Sequence, residues 1–209
     1  ASSSCREFLE TIINTQRFPL TELSTMAASE TAKIMENSYR ASNIAFIDEW
    51  SKFAESIEVD LYEIIRAIAI RPTHSNIRYP GVGVGGYCLT KDPMFAPAAA
   101  KQIFGLSDLS FPFINLAKRV NQEMPQHVVE CLERIMDNNL AGKEIVIFGV
   151  SYRPDIGDSR YSPTEVLVQQ LQHRGAVVVV NDPMVKYWEE MHEQGSYEKK
   201  TPSQLAPLA

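Results

Sequence analysis

Between Ser29 and Ile57 the chain carries neither glycine nor proline, and Met35, Tyr39, Phe46, Trp50 and Phe53 recur at helical spacing. This pattern predicts one long helix, with Ser24, Thr25 or Ser29 available to cap it. The stretch before it, to about residue 20, reads as the tail of a helix and a connection. "DLYEIIRAIAI" predicts a second helix after a break at Glu58–Asp60, closed by Pro72, which cannot continue the hydrogen-bond ladder. "DPMFAPAAAKQIFG" predicts a short helix begun by Pro93. Residues 110–139 predict another long one, bent at Pro125.

The pattern then changes. "KEIVIFGVSYRPDIGDSRYSPTEVLVQQLQHRGAVVVVNDP" alternates an apolar β run, a loop, an amphipathic helix and a second β run at Val177–Val180. That is the β-loop-α-β order of a parallel sheet. The expected fold is a mainly α part with long helices, residues 1–139, followed by a partial α/β, Rossmann-like part, residues 140–209. Two parallel strands do not make a sheet covered on both faces. The chain, ending at "TPSQLAPLA", is therefore expected to be a fragment of a longer protein or of a fold completed by another chain.

A formal net charge of -6 argues against nucleic-acid binding. No apolar run approaches the ~18 residues of a membrane span, and "ASSSCREFLETIINTQ" lacks the basic start and apolar core of a signal peptide. Cys5, Cys88 and Cys131 show no C-x-x-C spacing, which excludes a zinc ribbon and disfavours a disulfide scaffold. The expectation is a reduced, cytoplasmic protein with free thiols. No His/Cys/Asp cluster suggests a metal.

"GVGVGGYCLTKDP", residues 81–93, contains the spacing G-x-G-x-x-G at Gly81, Gly83 and Gly86. A dinucleotide cradle needs a strand before these glycines and a helix opening at the third. "PTHSNIRYP" is no apolar strand, and Pro93 suits a later helix start. The glycines, Gly85 and Gly86 included, are instead expected to let backbone approach a bound substrate beside Cys88. "IVIFGVSYRPD" does place a strand before a turn, but with the single Gly149. Its Arg153 suits a phosphate or uronate contact. The absence of G-K-[ST] excludes a P-loop.

These segments resemble a known family. "GVGVGGYCLTKD" is similar to the G-x-G-x-G-G-x-C-x-x-K-D loop of the UDP-glucose/GDP-mannose dehydrogenases, the nucleotide-sugar 6-dehydrogenases. "SETAKIMENSYRASNIAFIDEW" resembles that family's central-domain helix, and "GVSYRPDIGDSRYSP…LQHRGAVVVVNDP" the opening of its C-terminal nucleotide-binding domain. The three occur in order over roughly residues 25–185. The chain departs from the family at Arg153 and Tyr152, where lysine and phenylalanine are usual, and at Asp48, often Asn. No stretch of this chain resembles the family's N-terminal NAD-binding domain, which is expected to be absent from it. The stretch "RPTHSNI…PG" leans toward the UDP-N-acetylmannosamine-type members.

The resemblance implies NAD-dependent oxidation of the C6 alcohol of a nucleotide sugar, a UDP-sugar favoured, to a carboxylate, with NAD bound mainly by the absent domain. Cys88 is then the nucleophile that forms a thiohemiacetal and a thioester. Lys33 and Asn37, four residues apart on one helical face and about 6 Å from each other, are expected to stabilise the C6 oxyanion. Asp92 is expected to activate the hydrolytic water, its alternative being a helix cap before Pro93. Arg71, Asn76 and Tyr79 are the further substrate candidates, with Arg153. Lys91 and Arg160 are the cofactor-side candidates, Arg160 also pairing with Asp158 to hold its loop. Cys5 and Cys131 read as structural. The long helices are expected to form a homodimer core, and the chain alone is expected to be inactive. The alternative is a non-catalytic helical dimerisation module that retains the cysteine loop.

Overall fold

A computed structural model describes residues 2–192 and 198–199, so "TPSQLAPLA" lies outside the described residues. The chain forms two units, 1–33 and 34–209. In the first, α1 (Ser2–Ile12) is followed by a connection whose Glu22 pairs with Arg6 of the helix at 3.6 Å. Thr25 supplies the cap of the next helix, its Oγ1 accepting the Ala28 N–H at 3.1 Å, which satisfies one of the orphan donors of the first turn.

That helix, α2, runs Met26–Ser56, followed by α3 (Leu61–Ala69), α4 (Phe95–Gln102) and α5 (Pro112–Ile135). The break predicted at Glu58–Asp60 is built from Glu58 at φ +57° and from Asp60, whose carboxylate caps α3 by accepting from Tyr62 N–H at 2.8 Å. Pro93 does not open a helix directly. It sits in a single 3-10 turn, Asp92–Met94, and α4 follows from Phe95.

Helix α2 reverses the usual arrangement of an amphipathic helix. Its buried face is made of small and polar residues, Asn37, Ser38, Ala41, Ser42, Ala45, Asp48, Ser51 and Ala54, joined by Ile47. Small side chains let α2 approach α5 closely, with Ala45 packed on Ala117 and Val120. The stripe that marks it as a helix, Met35, Tyr39, Phe46, Trp50 and Phe53, is exposed. Phe46, Trp50 and Phe53 form an aromatic ladder with ring centroids 6.2 and 5.7 Å apart.

The α/β part contains β1 (Glu144–Phe148), α6 (Pro163–His173), β2 (Val177–Asn181), α7 (Glu189–His192) and a two-residue strand β3 (Glu198–Lys199). The sheet is parallel in the order β1-β2-β3, with Glu144 opposite Val177 and Phe148 opposite Asn181. β3 extends the two-strand reading by pairing beside Val179 and Val180. Among the described residues no helix is long and apolar enough to cross a membrane.

The change of pattern at 138–143 is a change of secondary structure, while the packing runs across it. Val129 of α5 is buried in one core with Leu167, Val168 and Leu171 of α6 and Val178 and Val180 of β2. Val82 of the glycine loop packs on the same core. Pro125 lies inside α5 and removes the amide that would bond the Asn121 carbonyl. Gly83, at φ +99°, crosses the helix at that carbonyl, where a Cβ would collide with the Asn121 oxygen. Gly83→Ala is therefore expected to cost about 2 kcal/mol through left-handed strain and overpacking. Urea unfolding of the two proteins measures it, and an unchanged midpoint would remove the crowding argument.

Candidate active site

The loop 81–94 is fastened at its start, its centre and its end. At the start, the Gly81 N–H donates to Asp48 Oδ1 of α2 at 3.0 Å. Asp48 is fully buried, and its Oδ2 has no partner. Burial pushes its carboxyl up to about 6, against the Gly81 amide and the positive charges of Lys52 and His127, which pull the other way.

At the centre, Gly86 N–H donates to the Arg160 carbonyl at 3.1 Å. A Cβ at Gly85 would stand 2.5 Å from Tyr152 Cβ and 2.9 Å from Pro163 Cδ. At Gly86 it would stand 2.6 Å from the Tyr152 ring. The close approach that requires glycine here is thus one between the loop and the turn after β1, inside the protein itself. Tyr87 also stacks obliquely on Tyr161, centroids 5.9 Å apart.

At the end, Cys88 is exposed and free, and its carbonyl accepts the Asp92 N–H at 2.8 Å and the Lys91 N–H at 3.2 Å. This tight turn holds Cys88, Lys91 and Asp92 together. Asp92 Oδ2 accepts from Asn37 Nδ2 of α2 at 2.7 Å, and its Oδ1 accepts from Lys91 Nζ at 3.1 Å. Both oxygens face side-chain donors, so the capping alternative for Asp92 is overturned: the 3-10 turn has no side-chain cap. Lys91 Nζ also lies 4.4 Å from the centre of the Tyr87 ring and 4.6 Å from that of Phe95, a cation-π seat. The hydrogen bond to Asp92, with that carboxylate's charge, raises the Lys91 ammonium above its ordinary range.

The other candidates lie elsewhere on the chain. Lys33 is an exposed residue of α2 in the first unit. Arg71 is exposed between α3 and the 3-10 turn at Pro72–His74. Asn76 donates to the Tyr39 hydroxyl at 2.6 Å, and Tyr79 stacks on Tyr62 with centroids 5.5 Å apart. Arg153 is exposed in the turn after β1. Arg160 forms two side-chain hydrogen bonds to Asp158, at 2.9 and 2.6 Å. That pairing raises the guanidinium and lowers the carboxyl from their ordinary ranges.

A residue the sequence pattern did not single out organises the turn after β1. Asp182 Oδ2 accepts the Val150 and Ser151 amides at 2.8 and 3.1 Å, and its Oδ1 accepts those of Met184 and Val185 at 2.7 and 3.0 Å. Burial raises this carboxyl, but the four amides outweigh it and hold it below the ordinary carboxylate range. An Asp-Pro pair directly after a β run is the signal that points to such a turn anchor.

Neither glycine segment forms a pyrophosphate cradle. No strand precedes Gly81 among the described residues and no helix opens at Gly86, while after Gly149 the next helix begins only at Pro163. Behind the loop, between α2 and α5, a cavity of about 60 Å³ is lined by Ser42, Thr90, Asn121 and their neighbours. It is too small for a nucleotide sugar, since ligand pockets run to several hundred Å³.

A mainly helical part joined to a parallel α/β unit is a fold this chain shares with solved nucleotide-sugar dehydrogenases. The chain belongs to the UDP-glucose/GDP-mannose dehydrogenase family, whose central domain matches residues 27–123 and whose UDP binding domain matches residues 146–207. It is 34% identical to a UDP-N-acetyl-D-mannosamine dehydrogenase of Methanocaldococcus jannaschii, over 87% of this chain and 39% of the relative. It is 38% identical to an NDP-N-acetyl-D-galactosaminuronic acid dehydrogenase of Ralstonia nicotianae, over 76% of this chain and 36% of the relative. The crystal structure of an NDP-N-acetyl-D-galactosaminuronic acid dehydrogenase from Methanosarcina mazei Go1 superposes with a TM-score of 0.71 at 27% identity. That match covers 83% of this chain and 37% of the other. The chain thus spans well under half the length of the proteins it matches.

Proposed function

We propose that this chain supplies the thiol-bearing central part, residues 1–139, and the nucleotide-sugar-binding part, residues 140–209, of an NAD-dependent nucleotide-sugar 6-dehydrogenase. Its substrate is a UDP-sugar, and the UDP-N-acetylhexosamine class is favoured by the names of the relatives. The observation that carries this reading is the constellation at the loop's end: an exposed thiol one turn from a carboxylate that Asn37 and Lys91 hold in place.

In the proposed chemistry, Cys88 Sγ adds to the C6 aldehyde carbon, forming a C–S bond and moving the carbonyl pair onto oxygen. Two-electron oxidation of this thiohemiacetal gives a thioester. Water then adds, the C–S bond breaks, and the thiol returns as the carboxylate leaves. Asp92 takes the proton of the attacking water, and Asn37 and Lys91 hold its two oxygens in line. Lys33 and Asn37 are the proposed donors to the C6 oxyanion. NAD is the proposed hydride acceptor, and Lys91 and Arg160 are this chain's candidates on its side. Arg71, Asn76, Tyr79, Gly85, Gly86 and Arg153 are proposed on the sugar and nucleotide side.

A homodimer is part of the same proposal. The exposed ladder of Phe46, Trp50 and Phe53, continued by Met35 and Tyr39, supports it, because a stripe of aromatics on one helix gains most by burial against a second copy. This stripe also favours a second reading, a dimerisation module whose cysteine loop is inert.

Alkylation followed by peptide mass spectrometry separates the two. The dehydrogenase reading expects Cys88 to label faster than Cys5 and Cys131, and a UDP-sugar to slow Cys88 alone. Labelling of Cys88 that is slow and indifferent to the UDP-sugar would favour the inert module.

A further inference from the structure

Outside the loop, the structure gathers three metal-ligand side chains that the proposed chemistry does not use. His127 and Cys131 stand one turn apart on α5, and Glu55 reaches them from the end of α2. Glu55 Oε2 is 2.8 Å from His127 Nε2 and 3.5 Å from Cys131 Sγ, and that sulfur is 3.5 Å from His127 Nε2. One ligand atom from each residue falls within 4.8 Å of the other two.

These lengths can be compared with what a metal demands. Zn²⁺ at about 2.0–2.3 Å from N, O and S ligands in tetrahedral directions separates neighbouring ligand atoms by roughly 3.3–3.7 Å. Both sulfur edges already have that length. The remaining edge, between nitrogen and oxygen, has to open by about half an ångström, and the exposed Glu55 side chain can supply this by a small rotation. The ligand set itself, one imidazole, one thiol and one carboxylate, suits a borderline metal such as Zn²⁺ and not Mg²⁺ or Ca²⁺.

We propose that Glu55, His127 and Cys131 form a Zn²⁺ site that clamps the end of α2 to α5, its fourth position open to water or an exogenous ligand. The site is independent of the dehydrogenase reading. On binding, the Cys131 S–H bond breaks, the sulfur pair goes to zinc and one proton goes to solvent. His127 binds through its neutral imidazole.

The surroundings are compatible with this exchange. Arg134 donates from Nη2 to Cys131 Sγ at 3.1 Å and lies 3.9 Å from Glu55. In the metal-free protein it stands where a cation is wanted. It is well exposed, so it can swing into water when Zn²⁺ takes over the neutralising charge. The further charged groups around the cluster are Glu130 on α5 and, facing His127 from α2, Asp48. Without metal, burial first and then the Glu55 charge hold the Cys131 thiol above its ordinary range.

Co²⁺ alone, added to the 209-residue chain, is the first probe. One equivalent is expected to give the near-ultraviolet thiolate-to-cobalt charge-transfer band and the visible bands of a tetrahedral site, both erased by Zn²⁺. Cys88→Ser is expected to keep the spectrum and Cys131→Ser to lose the charge-transfer band. His127→Asn and Glu55→Gln are expected to weaken Zn²⁺ by about a hundredfold or more in competition with a chromophoric chelator. Circular dichroism checks that each variant retains its helices. The proposal is overturned if the unmodified chain gives no charge-transfer band, if the band survives Cys131→Ser and vanishes in Cys88→Ser, or if folded His127→Asn binds Zn²⁺ undiminished.

Discussion

Cys88→Ala is expected to lower formation of the carboxylate by about 10⁴-fold or more in the protein that carries this chain, because the proposed thioester forms on this thiol. The exposed thiol, the carbonyl of its own residue holding Asp92 and Lys91, and the Asn37 amide on Asp92 are one constellation. Losing the nucleophile removes the covalent route outright, and the remaining side chains then orient a substrate on which they have nothing to complete. Supplying the C6 aldehyde directly, and following carboxylate by mass spectrometry, isolates the step. The proposed mechanism predicts that binding of the UDP-sugar to Cys88→Ala, by calorimetry, stays within a few-fold of the parent. If carboxylate appears at an undiminished rate, the covalent role of Cys88 is lost and with it the central part of the functional reading.

Asp48→Asn is expected to stabilise the chain at neutral pH relative to acid. Burial raises the folded-state Asp48 carboxyl to about 6 from 3.8. The native state therefore holds the proton more tightly than the unfolded chain. The associated stability is fully present below pH 3.8 and is lost as pH rises through about 6. The shift corresponds to about 3 kcal/mol of stability that the acid forfeits and a neutral amide does not. The side-chain amide of the Asp48→Asn variant can still accept the Gly81 N–H through its own oxygen, so the loop keeps its anchor. Urea unfolding of both proteins at pH 4 and pH 7.5 should show curves that diverge by about that amount in favour of the variant at the higher pH. Parallel curves would mean that Asp48 ionises as if in water, in conflict with its full burial and unpartnered Oδ2.

How far the sequence led can be traced residue by residue. Helix α2 was legible because twenty-nine residues pass without glycine or proline, and helical spacing is local. Which of its faces is buried was not legible. A periodic apolar stripe ordinarily turns inward, whereas here Asn37, Ser42 and Asp48 turn inward and Trp50 outward. That inversion depends on what packs against α2, here Ala117 and Val120 of α5 and the Gly81 and Asp92 ends of the loop, and the helix's own periodicity does not contain it. The thiol loop was legible as a motif, but the partners of Asp92 were not. Asp before Pro reads locally as a cap, and only the tertiary approach of α2, 55 residues earlier, draws Asn37 onto it. The need for Gly83 was hidden for the same reason, since it comes from a carbonyl exposed by Pro125 on a helix not yet reached. Glu55 and Cys131 are 76 residues apart, and no cysteine spacing rule spans that interval. His127 and Cys131 at i, i+4 on a predicted helix were the one local hint.

Gly85 and Gly86 also decide how the molecule can breathe. With Tyr152, Tyr161 and Pro163 flush against their backbone, the Cys88 loop cannot lift without either carrying the α/β part along or breaking that aromatic seat. Any molecule that binds the α/β part more tightly in the seated state therefore also damps the excursions of the thiol. By reciprocity, a group attached at Cys88 that also prefers the seated state shifts the affinity of the α/β part for that molecule by the same free energy. If one nucleotide sugar is held at both places, as the proposed function has it, its two ends would bind cooperatively through this seat.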